Sequence, residues 1–375
     1  MNQPSKPNLH LKTAFAIVLF MASAAYSLCA ATTESNIEKT FQVKAGGHLV
    51  IEADRGPIEI NTSDRNEVVV QVRRKISNGS AQKAAELFEA HVVTFDQDGD
   101  RISVRAHIKD EARHLDRGFQ NFQVEYRVQA PKQFNFDLRT AAGSIGSSSI
   151  DGKVKARTSG GNLRFAAISG SLDANTSAGS IRTGTIGGLV SATTSGGNIE
   201  IDGAEADAKL ETAAGSITVD RAKSKLTART SGGSIHVGEM DSSANLNTAA
   251  GSISVKLARG PLTAHTSGGN ITIEEAHDTV NADTSAGGIA ATFSSQPTGD
   301  CKLNTSGGSI TVKLEPELAF DVDASTSGGK VTTDMPVTMV VTGEAKTDGL
   351  KGKINGGGKA LILKTSAGNI AIRKK

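Results

Sequence analysis

From Thr140 onward, apolar and polar residues alternate in short runs, and the runs return on a fixed beat. A six-residue phrase recurs: Thr, a small residue, Ala or Gly, Gly, a small polar residue, then an aliphatic. Its Thr falls at Thr140, Thr158, Thr176, Thr194, Thr212, Thr230, Thr248, Thr266 and Thr284, always 18 residues apart. The beat continues at Thr305 and Thr326, each 21 residues further on, then at a degenerate copy at Thr347 and at Thr365. A period of this length, held over most of the chain, is the signature of a solenoid.

One coil is counted from the residue after the last Gly of the phrase, as in Ser180 to Gly197. Position 2 is Ile145, Ile181, Ile199, Ile217, Ile235, Ile253, Ile271 and Ile289, with Leu163 the first departure. Position 4 is mostly apolar or Thr: Phe165, Thr183, Ile201, Val219, Val237, Val255 and Ile273. Positions 11, 13 and 15 alternate with polar residues, as in Val190-Ser-Ala192-Thr-Thr194. A period of two predicts half-buried strands, not helices. The Gly pair at positions 17 and 18 predicts a turn, where positive φ carries no steric cost. A second turn is expected near position 9, often Gly: Gly152, Gly170, Gly188 and Gly260. Each coil therefore holds at least two strands.

Positions 11 and 13 trade volume. The pairs read Val154/Ala156, Leu172/Ala174, Val190/Ala192, Ala208/Leu210, Leu226/Ala228, Ala244/Leu246, Leu262/Ala264 and Val280/Ala282, one large and one small in each coil. A narrow core of fixed volume per rung explains this, because interiors are close-packed. Cys301/Leu303 fits the same slots and makes Cys301 a small core residue rather than a reactive thiol.

Two other 18-residue coils fail the pattern. A left-handed helix of hexapeptides needs an aliphatic at position 8, where this chain has Asp151, Ser169, Gly187, Glu205, Lys223, Asp241, Arg259 and His277. A calcium roll needs Asp in each Gly-rich turn, and these turns hold Ser, Ala, Gly and Asn. The expected fold is all-β: a parallel β-solenoid, a right-handed β-helix of 18-residue coils. At about 4.8 Å per coil, about 13 coils span about 60 Å.

Residues 40–137 lack the beat. Strands are predicted at 48–53, 57–61, 67–75, 100–108 and 122–130. A helix is predicted near 80–92, with Ser80 as N-cap and Ala84, Leu87, Phe88 and His91 on one face. Phe41, Phe88, Phe95, Phe119, Phe122, Tyr126, Phe134 and Phe136 concentrate here. This region reads as a larger-cored cap on an open solenoid end, with 109–121 a polar loop. The expected organisation is a signal peptide at 1–31, a β-rich capping region at 32–137 and the solenoid at 138–375. The tail Ile372-Arg373-Lys374-Lys375 offers no separate second cap.

Residues 1–12 carry Lys6 and Lys12 and no acid, and residues 13–31 carry no charge. A basic segment, an apolar segment and a small-residue exit form an export signal. Cleavage after Ala31 puts Ala at −1 and Cys29 at −3. An uncleaved anchor is the alternative, since this stretch nearly spans a bilayer. Tyr26, Ser27 and Leu28 do not form a lipobox before Cys29. Loss of Lys6 and Lys12 from 41 basic residues leaves 39 against 39 acidic ones. That balance removes any electrostatic pull toward nucleic acid. Of 2 cysteines only Cys301 then remains, which excludes an internal disulfide. With 41 Gly, 8 Pro, no Trp and 4% aromatics, the chain builds a thin core of small side chains, not a large enzyme core.

The stretches Gly47-His-Leu-Val-Ile-Glu, Asp54-Arg-Gly-Pro-Ile-Glu-Ile and Tyr126-Arg-Val-Gln-Ala-Pro131, with the repeated Thr-Ser-Gly-Gly-Asn-Ile, resemble the adhesin-like family of β-strand-repeat proteins. That family is formally of unknown function and is similar to the head domains of certain adhesins. The resemblance covers roughly 40–375. It implies an exported bacterial β-solenoid and brings no catalytic residues to transfer. This chain has no C-terminal membrane barrel and no cell-wall sorting signal, the usual routes to surface display.

Solenoid enzymes that cut polysaccharides converge acids and bases on one outer face. Here outward position 14 runs Arg157, Asn175, Thr193, Glu211, Arg229, Asn247, His265, Asp283 and Asn304, and position 12 runs Lys155, Asp173, Ser191, Lys209, Thr227 and Asn245. Glu211 beside Arg229, and His265 beside Asp283, read as surface pairs. Glu274, Glu275, His277 and Asp278 match no metal-site spacing and read as a solvated turn. His107, Asp110, Glu111 and His114 take the same reading, on a loop where function often sits. The expectation is therefore no catalytic, metal or cofactor site and no cofactor. The favoured reading is an exported non-enzymatic solenoid for adhesin-like binding or envelope scaffolding, periplasmic or at the cell surface. Its partner is an unidentified envelope protein or glycan, with no nucleic acid and no span in the mature chain. The alternatives are a carbohydrate-active enzyme on a β-helix and a periplasmic partner of an envelope-stress regulator.

Overall fold

A computed structural model describes residues 32–77, 81–115, 120–339 and 347–375, without the side chains of 113–115. The export signal, Cys29, Ser80 and Phe119 lie outside the described residues. The described residues are all-β apart from a helix at Ala81–Ala90 and a 3-10 turn at Asp110–Leu115. Its strands form two long, mostly parallel sheets that face one another across one continuous hydrophobic core.

Each repeat gives one strand to each sheet. In the coil from Asn198 to Gly215, Ile199–Ala204 joins the first sheet and Ala208–Thr212 the second. Pairing is parallel and in register with the coil before, so Ile199 sits on Ile181 and Leu210 on Ala192. Stacked this way, every backbone group of a central strand finds a partner above or below. Position 2 and the residues at 11, 13 and 15 point inward, Thr212 included.

A further inward column, at position 7, breaks the period of two. Ile150, Ile168, Ile186, Ala204, Ala222, Met240, Ala258 and Ala276 are all buried. Two consecutive residues separate each from the inward position 4, and at Thr218-Val-Asp220-Arg221-Ala222 both of them are exposed. The chain turns a corner there, which re-aims the next side chain into the core. In most coils volume is exchanged here as well: Ser147 and Thr183 stand three residues before Ile150 and Ile186, and Ile201, Val219, Val255 and Ile273 three before Ala204, Ala222, Ala258 and Ala276, while Phe165 with Ile168 and Val237 with Met240 are both large.

At the N-terminal end the sheets do not follow chain order. His48–Ala53 lies between Arg101–Ile108 and Asn135–Thr140, and Ile58–Ser63 lies between Phe122–Pro131 and Ile145–Ser147. The segment from His48 to Ser63 is thus itself a rung, placed between later parts of the chain. Beyond it the sheets close with antiparallel strands. Glu67–Ile76 and Thr33–Gln42 finish one sheet, and His91–Asp98 finishes the other. Thr33–Gln42 and His91–Asp98 carry too few inward apolar residues to stand out by pattern; neighbouring backbone recruits them.

The C-terminal end departs from expectation. The tail is not the last coil. Lys359–Thr365 pairs with Cys301–Thr305 on one side and Phe320–Thr326 on the other, and Ile370–Lys374 lies between Ile310–Leu314 and Val331–Thr333. Thr347 is not a rung. Gly349–Ile354 instead runs antiparallel along Phe320–Thr326, with Val337–Thr338 outside it. This pair caps the second sheet, so a cap exists where the tail alone suggested none.

Candidate binding surface

The turn that carries the repeated phrase is an interlocked column. Thr212 Oγ1 donates to the carbonyl of Gly197 in the preceding coil at 2.9 Å and accepts from the N–H of Gly215 at 3.3 Å. The same exchange recurs from Thr158 to Thr284, and the column starts where Thr140 Oγ1 donates to the Gly56 carbonyl at 3.0 Å. It also proves the reordered tail: Thr365 bonds the Gly308 carbonyl and Thr326 the Gly368 carbonyl. Each buried hydroxyl of this column is therefore satisfied. A second column, not read from the sequence, runs beside it. Ser or Asn at position 1 accepts the N–H of position 1 in the next coil, as Asn162 Oδ1 does from Ser180 at 2.8 Å and Ser180 Oγ from Asn198 at 3.1 Å. The sequence signal was there: in most coils Ser or Asn follows the second Gly of the phrase.

After the first copy, where Gly143 has φ +145°, the second glycine of the phrase does not serve through positive φ. A Cβ on Gly197 would stand 2.1 Å from the Gly179 carbonyl oxygen, and φ there lies outside the left-handed region. The turn needs the missing side chain for close stacking. This corrects the conformational reason expected from the sequence.

At the corner near positions 6 and 8, opposite charges stack between coils. Arg221 meets Glu239 at 3.0 Å, and Glu239 and Asp241 share Arg259. Lys223 meets Glu205 in the same way. These pairs hold the Glu239 carboxyl below its usual range, chiefly through the Arg259 hydrogen bond. All reach solvent, which screens them, so they add little to stability.

Of the residues singled out by sequence, His265 Nδ1 and Asp283 Oδ1 meet at 3.0 Å as an exposed pair. Glu211 is in register with Arg229 but pairs with Lys209 on its own strand at 3.1 Å. His277 bonds Glu275 at 2.8 Å, which lowers the Glu275 pKa. Asp278 Oδ1 accepts from the Thr298 N–H and hydroxyl at 3.0 and 2.7 Å, closing the longer coil. Glu274 is exposed and apart from that network. His107 is exposed on Arg101–Ile108, and Asp110 and Glu111 open the 3-10 turn; the side chain of His114 lies outside the described residues. Among the described residues no three His, Cys, Asp or Glu side chains gather as metal ligands. Cys301 is buried in its predicted slot, and burial pushes its thiol up to about 11.

Among the concave surfaces of the described residues, two are candidates for binding. One, of about 780 Å³, lies at the N-terminal end beside Asp54, Arg55, Arg73, Arg74, Lys75 and Glu125. Arg74 is committed to structure there: it donates to the Phe88 and His91 carbonyls and to Ser35 Oγ at 2.8, 3.1 and 2.7 Å. Behind it, burial lowers the His91 pKa to about 4, with Arg74 adding to the effect. The other is a groove of about 1090 Å³ along the outside of the second sheet. Two columns line it: Asn135, Lys153, Ser171, Leu189, Asp207 and Lys225 at position 10, and Asp137, Lys155, Asp173, Ser191, Lys209 and Thr227 at position 12. Asp137 pairs with Arg139, Asp173 with Arg157, and Lys209 with Glu211. Asp207 accepts from Ser224 Oγ and the Lys225 N–H, and the first of these chiefly lowers its pKa.

This repeat geometry has a counterpart among known families. Residues 47–279 and 263–373 match the Toastrack DUF4097 family. The chain belongs to that family. Membership agrees with the adhesin-like resemblance carried by the repeats. No curated protein matches the Toastrack chain. Among solved structures it is similar to a proposed cell adhesion protein from Clostridium sporogenes, 9% identical, covering 91% of this chain and 100% of that one with a TM-score of 0.19. It is also similar to a proposed adhesin from Bacteroides fragilis, 10% identical over 90% and 97% of the two chains with a TM-score of 0.26. A proposed lipid binding protein from Parabacteroides distasonis is 15% identical over 91% and 96%, with a TM-score of 0.27. At such distances none of the three transfers a ligand to this Toastrack chain. Among the described residues no helix is long and apolar enough to cross a membrane.

Proposed function

We propose that this chain is an exported, non-enzymatic β-solenoid that presents a long rigid surface for adhesin-like binding or scaffolding in the cell envelope. The observation that carries this reading is the single core running from Val43 to Ile372, walled by interlocked turns and closed by antiparallel strands on both sheets at the N-terminal end and on the second sheet at the C-terminal end. Such a body holds a surface at fixed spacing and limits growth by end-to-end pairing. Residues 1–31 act as the signal peptide, 32–137 as the capping region and 138–375 as the shaft. The solenoid is right-handed, because a strand that crosses to the other sheet and returns parallel takes that hand almost always. The outer columns mix charge and hydroxyl groups without a convergent acid and base, so the protein works by many weak contacts along its length.

The test is protease accessibility of a C-terminally tagged full chain, first on intact cells and then after disruption of the outer layer. Digestion only after disruption supports a periplasmic scaffold, and digestion on intact cells supports an adhesin. A tag that stays in the cytoplasmic fraction, protected throughout, sinks the export reading and the envelope function with it.

A further inference from the structure

The groove along the second sheet has a property that neither its sequence columns nor the family explains. Its acids are engaged, while several of its cations are not. Asp137, Asp173 and Asp207 each have a side-chain partner. Among the described residues, Lys153, Lys155, Lys225 and Arg229 take part in no ion pair within 4.0 Å, and all line the groove. On a chain whose exported part is neutral overall, this leaves a local positive strip facing solvent.

Register fixes the strip's dimensions. Lys153 and Lys225 occupy the same column four coils apart, and Lys155 stands on the neighbouring column in the coil of Lys153. At about 4.8 Å per coil this spacing is about 19 Å along the solenoid axis. Between the two ends lie Ser171 and Ser191, with Asp173 and Asp207 able to accept further hydrogen bonds. The charges are thus separated by hydroxyl-matching surface rather than packed together. Leu189, 62% exposed, stands on the position 10 column midway between Lys153 and Lys225 and gives the groove one apolar contact.

We infer that this groove binds an extended acidic polysaccharide, its carboxylates on the unpaired lysines and Arg229 and its hydroxyls on the Ser and Asp positions between. The inference deepens the envelope-binding reading and rests on it, since an exported chain is the one that meets such polymers. Charge complementarity favours this occupant. A flat anionic lipid surface would not follow a concave floor. A single-stranded nucleic acid would find no exposed ring on which to stack its bases, because Phe136, the aromatic that lines the groove, is buried.

The experiment measures binding of the purified chain to polygalacturonate, neutral dextran and phosphatidylglycerol vesicles at low and high salt. The triple variant Lys153→Ala, Lys155→Ala, Lys225→Ala is compared with a control, Lys256→Ala with Lys313→Ala, on the other sheet. Equal melting temperatures for the two variants establish that both are folded. The expected result is binding to polygalacturonate alone, weakened by salt and about tenfold weaker in the triple variant than in the control. No binding to polygalacturonate, equal loss in both variants, or preference for vesicles overturns the assignment. A chain found in the envelope that ignores polygalacturonate sinks the ligand and leaves the envelope function standing; a chain that stays in the cytoplasm sinks the envelope function first.

Discussion

At the residue scale the repeated phrase is a device for stacking turns. Its first small position alternates freely between Gly and Ala: Ala178, Gly196, Ala214, Gly232 and Ala250. Its second is always Gly, from Gly143 to Gly368. The difference is distance. An added Cβ at Gly196 would lie 3.4 Å from its nearest neighbour, an ordinary contact, but at Gly197 it would meet a carbonyl at 2.1 Å. Gly196→Ala is expected to change stability by less than about 0.5 kcal/mol. Gly197→Ala should lose about 2–4 kcal/mol, because backbone on both sides must move. Urea unfolding of the two variants decides, and equal stabilities would show that the turn column is looser than its geometry. The Gly pair was legible in sequence. Its reason was not, because close approach between residues 18 apart exists only once coils are stacked.

At the element scale, the inward positions of each coil share one volume. Leu210 is fully buried and sits in register between Ala192 and Ala228, while Ala208 sits between Val190 and Leu226. Large side chains therefore interdigitate both within a rung and between rungs. Leu210→Ala should cost about 2–5 kcal/mol through lost burial and the cavity left behind. Adding Ala208→Leu should recover part of it, since the displaced volume returns to the same rung. Thermal or urea unfolding of the single and double variants reads this directly; a double variant no more stable than the single one would refute shared volume. The sequence revealed positions 11 and 13 by simple alternation. It concealed position 7, where the corner at Asp220-Arg221 breaks the period and Ala222 still faces inward.

At the scale of the whole molecule, both ends are made by chain that returns. The segment Lys359–Lys374 lies between coils formed earlier in the sequence and holds Phe320–Thr326 onto Cys301–Thr305. Phe293 and Phe320, with ring centroids 5.9 Å apart, fill the wider core beneath it. A chain ending before Lys359 should therefore lose more than one coil: two strands of the second sheet lose their shared neighbour, and their unpaired edges are exposed to other molecules. The expected outcome is oligomers or aggregate on size exclusion and earlier thermal unfolding. A monomer with an unchanged melting temperature would mean that the returning strand is dispensable.

The sequence by itself determined the solenoid, its parallel pairing in register, the inward Thr column and the inert slot of Cys301. All of these follow from a side-chain pattern repeated every 18 residues, which local alternation and periodicity suffice to expose. Tertiary structure alone decided the order of the end rungs, the corner column, the reason for the second glycine, and the unpaired cations of the groove. Each of these depends on which distant residues become neighbours. That is set by backbone pairing between segments such as His48–Ser63 and Lys359–Lys374 and the coils that receive them, and their own sequence carries no mark of the address.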